Sequence, residues 1–319
     1  MSKQVHANDW TAEGPVFPQE LEGLSGRVNV LSGQPLEVEK LSGGLTNTNF
    51  KVSTPGGCYV VRLASDNSNL LEIDRESEYV NSVRAAEAGV GAPVIERLDT
   101  PNVLVVGFID GRTLSASDLQ HGHLLQRVAG ACRQLHGARR FRSDFNMFDV
   151  QRRYLELAIS RGFRIPDDYQ DFEELFVRVR RAMEIAPEPT VPCNNDLLAE
   201  NFIDDGERVW IIDYEYSGNN EPSFELGNIW SESELSIDQL EVLVRSYYGR
   251  ADRATMSRCR LWGLASKYGW TLWAAIQANV STLDFDFWEW GMEKYERAVA
   301  EFKGEDFERL LQDVTGGLS

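Results

Sequence analysis

Three oxygen-bearing side chains, Asp196, Asn201 and Asp213, stand at a spacing that suits a divalent cation and an alcohol. They lie in Cys193-Asn-Asn-Asp-Leu-Leu-Ala-Glu-Asn-Phe-Ile203 and Val209-Trp-Ile-Ile-Asp-Tyr-Glu215. Asp and Asn supply the hard oxygen donors that magnesium prefers. Phosphoryl transfer asks a protein for little covalent chemistry. It needs a carboxylate near the attacking hydroxyl and oxygen ligands that hold magnesium on the phosphates. Asp-x-x-x-x-Asn, followed by an aspartate closing the next apolar strand, meets that need. The plain alternative is a β-hairpin whose Asn and Asp serve turns. Three residues at the required spacings, next to a buried strand, favour the chemical reading.

A second group lies upstream. Ser42-Gly-Gly-Leu-Thr-Asn47 joins two β-prone runs, and its glycines, Gly43 and Gly44, let backbone N–H groups approach an oxyanion closely. With Thr46 and Asn47 it would cover phosphates; taken alone it is also a common hairpin turn. Trp270 and Trp273 are three apart and project from one helix face. Aromatic walls suit a quaternary ammonium, which cannot donate hydrogen bonds. Tryptophans at this spacing also serve cores.

The elements that must carry these residues follow from periodicity. Up to about residue 107 the chain reads as strand-rich, with Glu37–Leu41, Thr48–Thr54 and Cys58–Leu63 around glycine turns. Ile73 to Ala88 reads as a helix stopped by Gly89, and Val94–Asp99 and Asn102–Phe108 as further strands. Beyond this the pattern is helical: Leu124, Leu125, Val128, Cys132 and Leu135 share one face. Residues 193–215 interrupt it with the short buried strand Val209–Ile212, and helices resume near Ser223. The expected organisation is a β-rich lobe over 1–107, a hinge over 108–112 and a helical lobe over 113–319. That is the α+β layout of protein-kinase-like two-lobe enzymes.

Composition narrows the function classes. A content of 42% hydrophobic and 26% charged residues is that of a soluble globular protein. No apolar run approaches the ~20 residues that span a bilayer, and residues 1–10 lack a signal-type stretch, so a cytoplasmic location without membrane association is expected. A formal charge of −18 disfavours nucleic acid as a partner and favours a cationic small substrate, or simply keeps the protein soluble. The four cysteines have no paired spacing and read as buried thiols. His121, His123 and His136 lack spaced partners and read as structural.

Asn-Asp-Leu-x-x-x-Asn-Phe-Ile, then Ile-Asp-Tyr-Glu-Tyr, resembles the signature of choline and ethanolamine kinases and the wider aminoglycoside phosphotransferase group. The resemblance runs from about Leu41 to Arg297. It implies ATP and Mg2+, with Asp196 as catalytic base and Asn201 and Asp213 as metal ligands. It makes Arg62 the strand cation paired with Glu78, or with Glu76 instead, and gives the Phe108 connector to adenine. Asp213 to Glu232 is similar to the segment that ends in a substrate-binding carboxylate, so Glu232 would face the substrate cation. Trp270, Trp273 and Trp290 match the family's aromatic positions, while Phe287 and Trp288 are read as packing. Choline is then the expected acceptor, with ethanolamine, an aminoglycoside or another hydroxylated amine as alternatives. One departure stands out: the family has His before Asn-Asp-Leu, and this chain has Asn194. An asparagine amide can brace the loop through its donor and acceptor. The departure also raises an inactive, nucleotide-binding relative as an alternative.

Overall fold

The computed structural model describes residues 18–316, except 22, 25, 34, 35, 43, 65–69 and 121. The chain divides into two compact units, Met1–Ser65 with Val94–Phe108, and Asp66–Pro93 with Ile109–Ser319.

The first unit is built on a five-stranded antiparallel sheet. Its strands are β1 (Glu37–Leu41), β2 (Asn47–Thr54), β3 (Gly57–Ala64), β4 (Val94–Leu98) and β5 (Val103–Gly107), in the order β1-β2-β3-β5-β4. The β2–β3 hairpin pairs Asn47 with Ala64 and Asn49 with Arg62. Alternation puts Phe50 and Val52 on the same face, where they join Val61, Val103 and Val105 in a core closed by Leu21, Leu24, Val28 and Leu31.

The second unit begins with α1 (Arg75–Glu87), where Asp74 caps the helix by accepting from Glu76 N and Ser77 N. Fully buried Asn81 anchors α1: its Nδ2 donates to Ser217 O and Oγ, and its Oδ1 accepts from Arg142 N. By these contacts α1 counts with the helical unit. The two-residue β6 (Arg112–Thr113) and short α2 (Ala116–Leu119) lead into α3 (Gly122–His136), α4 (Met147–Arg161) and α5 (Glu173–Ile185). Then come β7 (Val191–Cys193), β8 (Phe202–Asp204), β9 (Val209–Ile211) and β10 (Gly218–Asn220). These strands form two small sheets, β10-β7 and β6-β8-β9. Helices α6 (Pro222–Glu232), α7 (Ile237–Tyr248), α8 (Arg253–Val280), α9 (Phe287–Phe302) and α10 (Phe307–Thr315) complete the unit. Among the described residues no helix is long and apolar enough to cross a membrane.

The 28-residue α8 is buried on nearly every face because α4, α6, α9 and α10 all pack on it. Two glycines, Gly227 and Gly263, let α6 approach it closely. A Cβ on Gly227 would meet Cys259 O at 2.2 Å and Gly263 N at 2.7 Å. This contact sets α6, with its acidic residues, against the helix that carries Trp270 and Trp273.

Candidate active site

The loop between β7 and β8 is held by polar side chains of α6 and by its own asparagines. Glu225 of α6, fully buried, accepts from Asn194 N through Oε1 and from Asn195 N through Oε2, each at 2.8 Å. Asn228, one turn later, accepts from Leu197 N at 2.7 Å and donates to Ser266 on α8. Asn195 adopts a left-handed conformation, φ 70°, which asparagine tolerates better than most residues. Its Nδ2 donates to Tyr216 O and Gly218 O.

Asn194 is the residue that departs from the expected pattern, and it ties the loop to the end of β9. Its Nδ2 donates to Ile212 O at 3.1 Å and Asp213 O at 2.7 Å, while its Oδ1 accepts from Asp196 N at 3.1 Å. Donor and acceptor are both spent on bracing. A further bond, Ile212 N to Asn201 O at 3.0 Å, joins the same two segments.

The three chemical candidates therefore share one hydrogen-bonded frame. Asn201 Nδ2 donates to Asp196 O at 2.7 Å, which leaves Oδ1 as the atom available to a cation. Asp213 follows β9 with φ 63°, again left-handed. The Asp196 carboxyl is pushed well above the usual carboxylate range. Burial is the main cause, followed by the carboxylates of Glu232, Asp213 and Glu215, with Lys294 acting in the opposite direction. A carboxyl surrounded by this much negative charge is suited to a site that receives cations.

Glu232 ends α6. Its Oε2 accepts from Lys294 Nζ of α9, and both side chains are 3% exposed. Glu232 Oε1 is buried with no hydrogen-bond partner among the described residues. The Lys294 ammonium also lies 4.0 Å from the ring centroid of Trp290. Trp290 packs edge-on against Trp273, with centroids 5.8 Å apart. Trp273 Nε1 donates to Tyr216 OH at 2.7 Å, and Trp270 packs on Tyr216 at 5.0 Å and on Phe145 at 6.3 Å. Trp270 and Trp273 are 4% and 6% exposed. Phe287 is buried against Trp273, and Trp288 stacks under the Arg164 guanidinium.

In the first unit, Gly44 occupies a position where a Cβ would lie 2.3 Å from Asn47 O, so the β1–β2 turn requires glycine there. Thr46 is half-buried and Asn47 buried at the start of β2. Gly43 and His121 lie outside the described residues. Arg62 stands on β3 opposite Leu104. Phe108 follows β5; its N–H donates to Cys58 O at 3.0 Å and Lys51 Nζ lies 4.2 Å from its ring centroid. In the second unit, Glu78 on α1 accepts from Arg75 at 2.7 Å, and Arg75 also reaches Glu215 at 3.3 Å. Glu76 pairs with Arg142 at the surface.

Sequence reasoning missed Arg75, Glu215, Glu225, Asn228 and Lys294. Each bonds a residue 30 or more positions away: Arg75 and Glu215 one another, Glu225 the amides of Asn194 and Asn195, Asn228 that of Leu197, and Lys294 the carboxylate of Glu232. His136 has a structural setting: its Nδ1 meets Tyr247 OH at 2.6 Å and its Nε2 lies 3.6 Å from both Cys193 Sγ and Glu225 Oε1. All four cysteines are free of disulfides, three of them buried.

The segment that holds this frame falls inside a family match. Residues 38–246 match the choline/ethanolamine kinase family. The chain belongs to that family. A crystal structure of a choline/ethanolamine kinase family protein from Mesorhizobium loti superposes with a TM-score of 0.82 at 31% identity, covering 93% of this chain and 99% of that one. Protein LicA of Haemophilus influenzae is 28% identical over 255 residues, 74% of this chain and 72% of its own. A probable ethanolamine kinase of Arabidopsis thaliana is 28% identical over 284 residues, 78% and 75% of the two chains. The fold is accordingly protein-kinase-like, α+β. As a choline/ethanolamine kinase family member the chain is a nucleotide-binding, ATP-dependent phosphotransferase that acts on an alcohol group.

Proposed function

We propose that the protein transfers the γ-phosphate of ATP to the hydroxyl of an amino-alcohol, with Asp196 beside the hydroxyl and magnesium on Asn201 and Asp213. The observation that carries this is the frame tying Asp196, Asn201 and Asp213 together through Asn194 and the Asn201–Asp196 bond. The donor set fits a magnesium ion: an amide oxygen left available and a carboxylate, both hard oxygen ligands. When bound, the ion would neutralise charge on the phosphate oxygens. Asp196 orients the hydroxyl and accepts its proton. The glycine loop with Gly43, Gly44, Thr46 and Asn47, together with Arg62, Glu78 and Phe108, is proposed to hold the nucleotide.

The cationic end of the acceptor is assigned to Glu232, with Trp270, Trp273 and Trp290 as aromatic neighbours. Choline and ethanolamine both fit this description. The tryptophans favour choline by their ring faces. The Trp290 ring, however, already lies beside the Lys294 ammonium, so the rings alone do not carry the choice. Asn194 also admits an inactive, nucleotide-binding role; the bracing bonds it makes support the active reading instead.

The test is a coupled assay of ADP release over choline, ethanolamine and an aminoglycoside, with and without magnesium. Release should depend on both the amine and the metal. Asp196→Asn should retain Mg-ATP binding and lose about 10²–10⁴-fold in kcat. Near-normal turnover in that variant would remove Asp196 from its role.

A further inference from the structure

We infer that Glu232 and Lys294 together make the ammonium end of the site selective for an N–H. The substrate class is an amino-alcohol whose nitrogen keeps at least one hydrogen, and a fully methylated nitrogen is the poorer ligand. This rests on the amino-alcohol kinase reading above and goes further by assigning the discrimination to a particular pair.

Three observations carry it. First, the carboxylate that would attract a cation is already neutralised. Lys294 donates to Glu232 Oε2, and with both side chains 3% exposed the pair is formed out of water. The net attraction it offers to a bare charge is therefore weak. Second, the remaining oxygen, Oε1, is buried and has no hydrogen-bond partner among the described residues. A buried acceptor gains from any ligand that donates to it and loses from one that covers it without donating. A primary, secondary or tertiary ammonium can donate. A quaternary ammonium presents only methyl groups. Third, Lys294 lies 4.0 Å from the Trp290 centroid, so the protein's own ammonium already uses one aromatic neighbour a quaternary cation would need.

Substrate selectivity distinguishes this arrangement from a plain aromatic cage. A cage responds to size and charge, so each added methyl changes affinity gradually. A site with one buried acceptor responds to the last N–H, because an acceptor left unpaired by the bound analogue discriminates far more strongly than one methyl group in an apolar wall. The dependence on methylation is therefore a step.

The experiment measures kcat/KM on the full chain for ethanolamine, N-methylethanolamine, N,N-dimethylethanolamine and choline. The first three should fall within roughly tenfold of one another, and choline should drop at least about 30-fold below the dimethyl compound. A smooth trend across the series, or choline equal to or better than the others, overturns the inference and leaves the kinase reading standing. No transfer to any of the four overturns both. The double variant Glu232→Leu/Lys294→Met removes the acceptor together with its partner, and apolar replacement of a buried ion pair is commonly tolerated. In it the last step should shrink to about threefold or less. Persistence of the full step there would place the acceptor elsewhere and overturn the assignment.

Discussion

Asn194 holds two segments of the site together with a single side chain. Its amide spans from the Asp196 backbone N–H to the carbonyls of Ile212 and Asp213. Truncation would take the amide away from these part-buried groups, each at a cost of up to about 1–3 kcal/mol. Asn194→Ala should therefore lower the melting temperature and reduce kcat at least about tenfold, with a smaller change in KM for the amine. Steady-state kinetics with a thermal melt check this; unchanged kcat would mean the frame stands without it. The identity and spacing of Asp196, Asn201 and Asp213 were legible at this scale, because one short loop and one hairpin carry all three. Lys294 was not. It pairs with a glutamate 62 residues away, and nothing in the local pattern of α9 distinguishes it from an ordinary surface lysine.

At the scale of elements, the site depends on how closely α6 can approach α8. Glu225, Asn228 and Glu232 all lie on α6, so a shift of this helix disturbs the loop amides and the Glu232–Lys294 pair together. Gly227→Ala would drive its Cβ into the Cys259 carbonyl, where relief requires backbone movement. We expect a destabilisation of about 1–3 kcal/mol, read as a lowered melting temperature, together with a loss of activity. A variant as stable and active as the parent would show that the two helices separate freely. The elements themselves were readable. The helix expected over Ile73 to Ala88 forms as Arg75–Glu87, and the strand expected over Val94–Asp99 forms as Val94–Leu98. The packing of α6 on α8 had no such signal, since glycines within helices mark a close approach only once the partner is known.

For the whole molecule, the formal charge of −18 sets a long-range field that favours a cationic acceptor. Between about 0.01 and 0.1 M salt the screening length falls from about 30 Å to about 10 Å. The KM for the amine should rise roughly two- to threefold over that range, with kcat little changed. A KM indifferent to salt would assign the acidity to solubility alone.

The chain by itself determines a carboxylate and two hard-oxygen side chains at set spacings, on segments whose strand character is local. Folding decided the rest. Which cation Glu232 meets, which carboxylate grips the loop amides and which glycines let α6 reach α8 all follow from contacts between distant segments. Such contacts depend on the packed arrangement of helices, and no periodicity along the chain encodes them.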